Sequence, residues 1–566
     1  MDIYLNDYLH CGDNVLAVSE ALRDCREGDT LHLGGGTLEL YRTYAVPVNY
    51  YLPRYSDESK FYAVYAEEKK DIVIDGDGAS LILAGDISGF GFEKCENLTL
   101  RNFSIDYKHR NFWQAMITET NEKYFEVEFD EAEYPCEYDS DRKVYRFGSS
   151  KSGFCWESGA LLANEFDPLL KRPSAAPVDY FLCAGQPHHV YDFMSVLVDT
   201  ECIASNRLRF YYKNRTVQHT VGNYLVLMNH ERRNTNIHLH KCKNVTLENI
   251  DMYSSFSFGV VALLVENLNI RNVNSILQPD FNRMIALNAD MFHCVNCSGN
   301  IEIAECRIEN MGDDAINIHS LLCKVKKVLD SHSMLVEFPY LAKRALNLFT
   351  AGEKLHRLNE ETFERGVELT VRSSEFAGQY HLRIETREEL RQDIEGSILE
   401  STDAMPKIYI HDCATGNNRG RGFLVSSSRH TVVENNTFYN PGFSICVGGA
   451  SRSYMEGGAV DGLIIRHNSF VDSAYKGSAA VNVNPQGINN ECTIPYHKNI
   501  SIVNNDFAKT GKTLINARLV KGLYIENNRY TQGKRQSSEE TGSEEIKLQQ
   551  CVDVEAGHAF ISSKDV

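Results

Sequence analysis

The chain has 566 residues, too many for one compact core, so it is built either from several domains or from an array of repeats. Its 58 basic residues face 77 acidic ones, a formal charge of −19, and no Lys/Arg-rich run offers phosphates a stripe, which excludes nucleic acid as a natural partner. No stretch reaches the ~18 consecutive apolar residues of a membrane span, and Met1 to His10 lacks the basic head and apolar middle of a secretory signal; a soluble chain, with any signal absent or removed, is expected.

From Asp13 to Cys25, apolar Val15, Val18, Leu22 and Cys25 recur with helical spacing, and Gly28-Asp29-Thr30-Leu31-His32-Leu33 then leads into a strand. The spacing predicts an amphipathic helix that plugs the open end of a stack of strands. The stack itself is written as a repeat: a small or polar residue, aliphatic, any, aliphatic, any, then Asn, Asp or His. It runs through Asn97–Asn102, Asn244–Asn249, Asn267–Asn272, Asn300–Ile303, Lys407–Asp412, Gly462–His467, Asn499–Asn504 and Gly522–Asn527. Alternation of period two marks a strand with one buried face, and the closing Asn tolerates the left-handed turn that redirects the chain. Successive units lie 23 residues apart where the period is unbroken, with no helix between them. That pattern predicts an all-β fold, a right-handed parallel β-helix whose coils stack aliphatic on aliphatic.

Two intervals are too long for one coil, and each holds alternating segments such as Tyr124–Phe129 and Ser333–Phe338. They predict two inserted antiparallel β modules. The expected organisation is a cap and first coils at 1–107, a module at 108–237, coils at 238–320, a second module at 321–403, coils at 404–532 and a polar tail at 533–566. The modules are candidates for a pocket wall or a homodimer contact. Sixteen cysteines in so long a chain do not make a disulfide scaffold; Cys95, Cys242 and Cys297 read as small buried residues, and Cys294-Val295-Asn296-Cys297 is a lone pair without zinc spacing. No metal or other cofactor is expected.

The chemistry sits in Asn288-Ala289-Asp290 and Gly312-Asp313-Asp314, one repeat length apart. Neighbouring rungs of a β-coil are about 4.8 Å apart, so Asp290, Asp313 and Asp314 should converge on one small substrate, an arrangement suited to acid/base catalysis. Adjacent aspartates in a regular strand would point oppositely, so these require a turn or bulge, which Gly312 permits.

The pattern Asn-x-Asp followed by Asp-Asp one coil later resembles the polygalacturonases of glycoside hydrolase family 28, but the Gly-His-Gly and Arg-Ile-Lys motifs that hold a uronate are missing, which implies an uncharged sugar. The longer segments Arg283–His293, Glu309–His319, Asn418–Leu424 and Pro495–Ile500 resemble the α-1,3-galactosidases of glycoside hydrolase family 110 over most of the chain. That resemblance implies removal of terminal α-1,3-linked galactose, including that of the blood group B antigen, with inversion and no cofactor. By the polygalacturonase resemblance, Asp313 is the general acid, and Asp290 with Asp314 holds the attacking water across a gap of ~6.5–9.5 Å. Arg283, His293, Asn317 and His319 flank the acids as candidates for binding sugar hydroxyls; Arg419 and Arg421 lie in a Gly-rich turn, and Tyr454 and Glu456 lie in a long excursion between coils. Trp113 is read as a core residue of the first module rather than a stacking platform. The competing functions are a calcium-dependent polysaccharide lyase, expected to be chelator-sensitive, and a non-catalytic carbohydrate-binding β-helix.

Overall fold

The computed structural model describes the chain except for residues 50–58, 150–153, 178, 190, 230, 280–281, 339–346, 379, 451–454, 477–478, 509–512, 532–544, 558–559 and 563–566. The fold is nearly all β, and most of it is a stack of parallel rungs. Each rung contributes to two long sheets, giving the first either one long strand, such as Lys243–Met252, or two short ones, such as Lys407–His411 and Ala414–Gly416. In the first sheet one column of register partners runs through Leu98, Val245, Leu268, Ile301 and Ile408, and after buried Thr431 continues through Leu463, Ile500 and Leu523, aliphatic at every rung but that one. The aliphatic side chains belong to one continuous core. The closing asparagines behave as their chemistry requires: Asn102, Asn249, Asn272, Asn504 and Asn527 all adopt positive φ between 50° and 60°. The cysteines are free, and Cys95, Cys242 and Cys297 are buried among the aliphatics.

Leu98 pairs with Val245 and Ile301 with Ile408, so the intervening residues leave the stack and return to the next rung. The first excursion forms an eight-stranded sheet, antiparallel in all but one pairing, from strands between Phe112 and Met228, with a three-stranded sheet beside it. Its core holds Trp113, Phe125, Phe147, Phe166 and Phe210. Trp113 is buried, and its Nε1 donates to the Tyr134 carbonyl at 2.8 Å. The second excursion, between Cys323 and Ser401, is a closed barrel. The first shares its core with Met284 and Ile285, just ahead of the Asp290 turn, and the barrel shares its core with Leu263, Val295 and Leu321, at the far ends of the neighbouring strands. The two therefore flank the same rungs from opposite ends.

Helix Asn14–Asp24 is held at its start by Asp13, whose carboxylate accepts from the Val15 and Leu16 amides, and it buries Val15, Val18 and Leu22 against strands Thr37–Tyr41 and Lys60–Glu67. Among the described residues no helix is long and apolar enough to cross a membrane.

The expected tail at 533–566 is corrected where the structure describes it. Ile546–Gln549 pairs with Thr513–Arg518, Val552–Glu555 with Val520–Glu526, and Phe560–Ser562 with Asn528–Thr531. Ladder bonds need only backbone, so a rung forms even where Val552 and Val554 stay 43% and 36% exposed.

A second column runs inside the turns. Asn468 donates to the carbonyls of Val433 and Arg466 and to Asn505, and accepts from the Asn436 amide. Replacing it strands buried polar groups on three rungs. Asn468→Ala is expected to cost about 2–4 kcal/mol in urea unfolding, whereas Asn300→Ala, which removes an exposed side chain bonded only to Asn267, should cost less than about 0.5 kcal/mol.

Candidate active site

In the second sheet Phe292 pairs with Ile316, and Ile316 with Phe423. The local step is thus 24 residues, one more than the general repeat. Asp290, Asp314 and Arg421 each stand two residues ahead of these partners, so they occupy the same turn position on consecutive rungs. The Asp314 amide donates to Asp290 Oδ1 at 3.2 Å, and the Arg421 amide donates to Asp314 Oδ1 at 2.7 Å. Asp313 is the extra residue of the turn. Two glycines make the close approach feasible: a Cβ on Gly312 would meet the Asn288 carbonyl oxygen at 2.6 Å, and one on Gly420 would meet Asp314 Oδ1 at 2.7 Å.

One oxygen from each of Asp290, Asp313 and Asp314 lies within 4.8 Å of the others. The three carboxylates converge. Each has its own cationic or donor partner. Arg421 binds Asp314 in bidentate fashion, Nε to Oδ1 at 2.9 Å and Nη2 to Oδ2 at 2.6 Å. Arg232 and Arg419 both reach Asp313, the latter at 3.1 Å. His293 Nδ1 lies 2.7 Å from Asp290 Oδ2. A divalent cation here would have to displace guanidinium groups from two of the carboxylates and imidazole from the third, so the donor set fits a metal poorly.

Burial, opposed by Arg421 and reinforced by Asp313 and Asp290, lifts the Asp314 carboxyl to about 6. Burial pulls the Arg421 guanidinium down while Asp314 lifts it well above its usual value. The two shifts oppose one another, one favouring a neutral and the other a charged pair. The bidentate geometry decides it: at neutral pH the pair is ionic.

Further along the same rungs, His293 is the register partner of Asn317, and the His293 and His319 rings sit 5.3 Å apart. His319 Nε2 lies 3.9 Å from Glu456 Oε1. Glu456 is held there because its strand pairs with Ser320–Leu321 and because buried Glu400 of the barrel accepts from the Gly458 and Ala459 amides at 3.0 and 3.2 Å. The structure therefore brings Asp290, Asp313, Asp314, His293, Asn317, His319, Arg419, Arg421 and Glu456 to one place. Tyr454 lies outside the described residues.

Arg283 is a correction. It is 1% exposed, with Nη1 and Nη2 on the two Asp106 oxygens at 3.0 and 2.9 Å, so it offers nothing to a sugar. Three further residues of the site carry no sequence signal. Arg232 touches Asp313; Asp179 accepts from Arg419 Nη1 at 3.2 Å; Lys476 lies 3.4 Å from Asp179. Arg232 and Asp179 come from the first excursion, and no local pattern marks them.

No family model matches the sequence. The chain is 26% identical over 546 residues to the α-1,3-galactosidase B of Bacteroides thetaiotaomicron, covering 95% of this chain and 86% of that protein. It is 26% identical over 530 residues to the α-1,3-galactosidase A of Shewanella woodyi, covering 91% and 83%. The resemblance read from the motifs thus extends along nine tenths of the chain. An exopolygalacturonase from Thermotoga maritima is similar in structure at a TM-score of 0.40 and 11% identity, covering 100% of this chain and 92% of that one.

Burial of the Arg283–Asp106 pair has a direct consequence. Arg283→Gln leaves Asp106 buried without its cation and is expected to cost about 3–5 kcal/mol in urea unfolding. A variant of unchanged stability would return Arg283 to the ligand-facing residues.

Proposed function

We propose that this chain is an exo-acting, inverting glycoside hydrolase that removes terminal α-1,3-linked galactose from blood group B-type or linear Galα1-3Gal glycans, without a cofactor. The observation that carries the reading is the convergence of three carboxylates from the turns of two consecutive rungs, in a chain related along most of its length to proteins named α-1,3-galactosidase. In this reading Asp313 is the proton donor, because its side chain is 19% exposed while those of Asp290 and Asp314 are 3% and 1%. Asp290 and Asp314 are close enough for one water to donate a hydrogen bond to each. That water loses a proton to the pair as its oxygen attacks the anomeric carbon. The glycosidic bond breaks, and the Asp313 proton passes to the departing oxygen. Arg232 and Arg419 oppose a protonated Asp313, so the aglycone must take the place of one of them.

The same reading makes the stack a right-handed solenoid of 1–107, 238–320 and 404–532, with helix Asn14–Asp24 as its end cap. The sheets of 108–237 and the barrel of 321–403 are insertions whose walls set branched or linear preference. Exposed Leu169 and Phe193 are where a homodimer contact through the first insertion would form.

The stereochemical alternative is retention, in which a carboxylate rather than a water attacks the anomeric carbon. The bidentate Arg421 makes Asp314 a poor nucleophile, which supports inversion. NMR of the first sugar released decides: β-galactose is expected, and α-galactose would establish retention.

Two kinetic outcomes are expected. Asp313→Asn should lower kcat by about 10²–10⁴-fold on a natural glycan and much less on an aryl galactoside, whereas Asp290→Asn and Asp314→Asn should fail on both. Asp314 must be ionised to serve the water, and its raised pKa means that form is lost as pH falls through about 6. The acid limb of kcat/KM should therefore fall near pH 6 rather than near the ordinary aspartate value; an acid limb that falls only near that ordinary value would remove Asp314 from the base role.

A further inference from the structure

His319 and Glu456 present a chemistry that the catalytic reading does not use. His319 Nδ1 lies 2.9 Å from the Ser320 carbonyl oxygen, which can only accept, so Nδ1 carries the ring proton. Burial, opposed by Glu456, holds the imidazole below its ordinary pKa, so the ring is neutral. Its Nε2 is therefore a bare acceptor, and it is buried without a partner. The nearest charged group is no donor either: it is the Glu456 carboxylate, 3.9 Å away. Beside them His293 has committed Nδ1 to Asp290, and its Nε2 is also buried and unpartnered. Asn317 Oδ1, on the register partner of His293, is a further unpartnered acceptor.

Buried polar atoms are rarely left unpaired, because each costs about 1–3 kcal/mol. Here they are adjacent, on consecutive rungs, in a row from Asp290 to Glu456. The donors of the site, Arg232, Arg419 and Arg421, are committed to Asp313 and Asp314.

We infer that His319 and Glu456 form a subsite for a vicinal diol of the terminal sugar, one hydroxyl donating to His319 Nε2 and its neighbour donating to the Glu456 carboxylate. This rests on the glycosidase reading and goes beyond it, since it fixes the direction of two hydrogen bonds. An acceptor-only wall recognises the O–H of a hydroxyl, not its lone pairs. A substituent that keeps the size and electronegativity of the hydroxyl but has no proton should be refused as strongly as a missing hydroxyl.

Fluorine in place of OH is that substituent. The test measures dissociation constants of methyl α-galactopyranoside and its monodeoxy and monodeoxyfluoro derivatives on the Asp313→Asn enzyme. Binding is read rather than turnover, so the electronic effect of fluorine on the reaction does not enter. At two adjacent ring positions the fluoro and deoxy sugars should both bind about 10- to 100-fold more weakly than the parent. In Glu456→Gln the penalty should shrink at one of these positions, and in His319→Phe at the other, each leaving the remaining position unchanged.

Fluorine tolerated at every position, or penalties that neither substitution alters, would overturn the subsite and leave the hydrolase reading standing. No binding of the parent galactoside, with no turnover of any α-galactoside by the unsubstituted enzyme, would overturn both.

Discussion

The parallel ladder joining strands Phe292–Val295, Ile316–Leu321 and Phe423–Val425 is the constraint on which the site depends. Its hydrogen bonds are made by backbone alone, so they hold whatever the turns ahead of them carry. They force Asp290, Asp314 and Arg421 into a column at rung spacing. Two carboxylates about 4 Å apart repel by about 4 kcal/mol at an effective dielectric of 20. The column is tolerable because its third member is a guanidinium, and because Arg232 and Arg419 close on the extra residue, Asp313. Rigid stacking supplies the proximity, and charge pairing offsets the repulsion that proximity brings.

The same ladder explains why the excursions matter to the pocket. A bare solenoid would show its turns to solvent, and charges there would be screened. Here the first excursion brings Arg232 and Asp179 over the acids, and the barrel uses Glu400 to fix the backbone beside Glu456. The site consequently combines a stiff floor, set by rungs, with walls contributed by chain that has left the stack. The floor carries the three carboxylates, and the walls supply part of the charge that pairs with them.

Much of this is legible in the sequence because a solenoid writes its contacts at a fixed period. The aliphatic columns, the turn asparagines and the approach of Asp290 to Asp313 and Asp314 all follow from repeat spacing. The departures share a cause. Arg283 looks like a site residue from its neighbours, but its partner Asp106 lies 177 residues earlier and meets it only across an excursion. Arg232 and Asp179 reach the acids in the same nonlocal way. The C-terminal rungs resemble a tail because their side chains are polar or exposed, although the bonds that make a rung are not carried by side chains.

The most direct measurement is a crystal structure of the Asp313→Asn enzyme with an uncleaved α-1,3-linked galactobioside. The expected result places the terminal galactose with its anomeric carbon beside Asp290 and Asp314, the glycosidic oxygen at position 313, and two adjacent hydroxyls on His319 and Glu456. A disaccharide bound elsewhere, on the barrel or along the outer face of the stack, with the three acidic residues turned away from it, would contradict the proposed site.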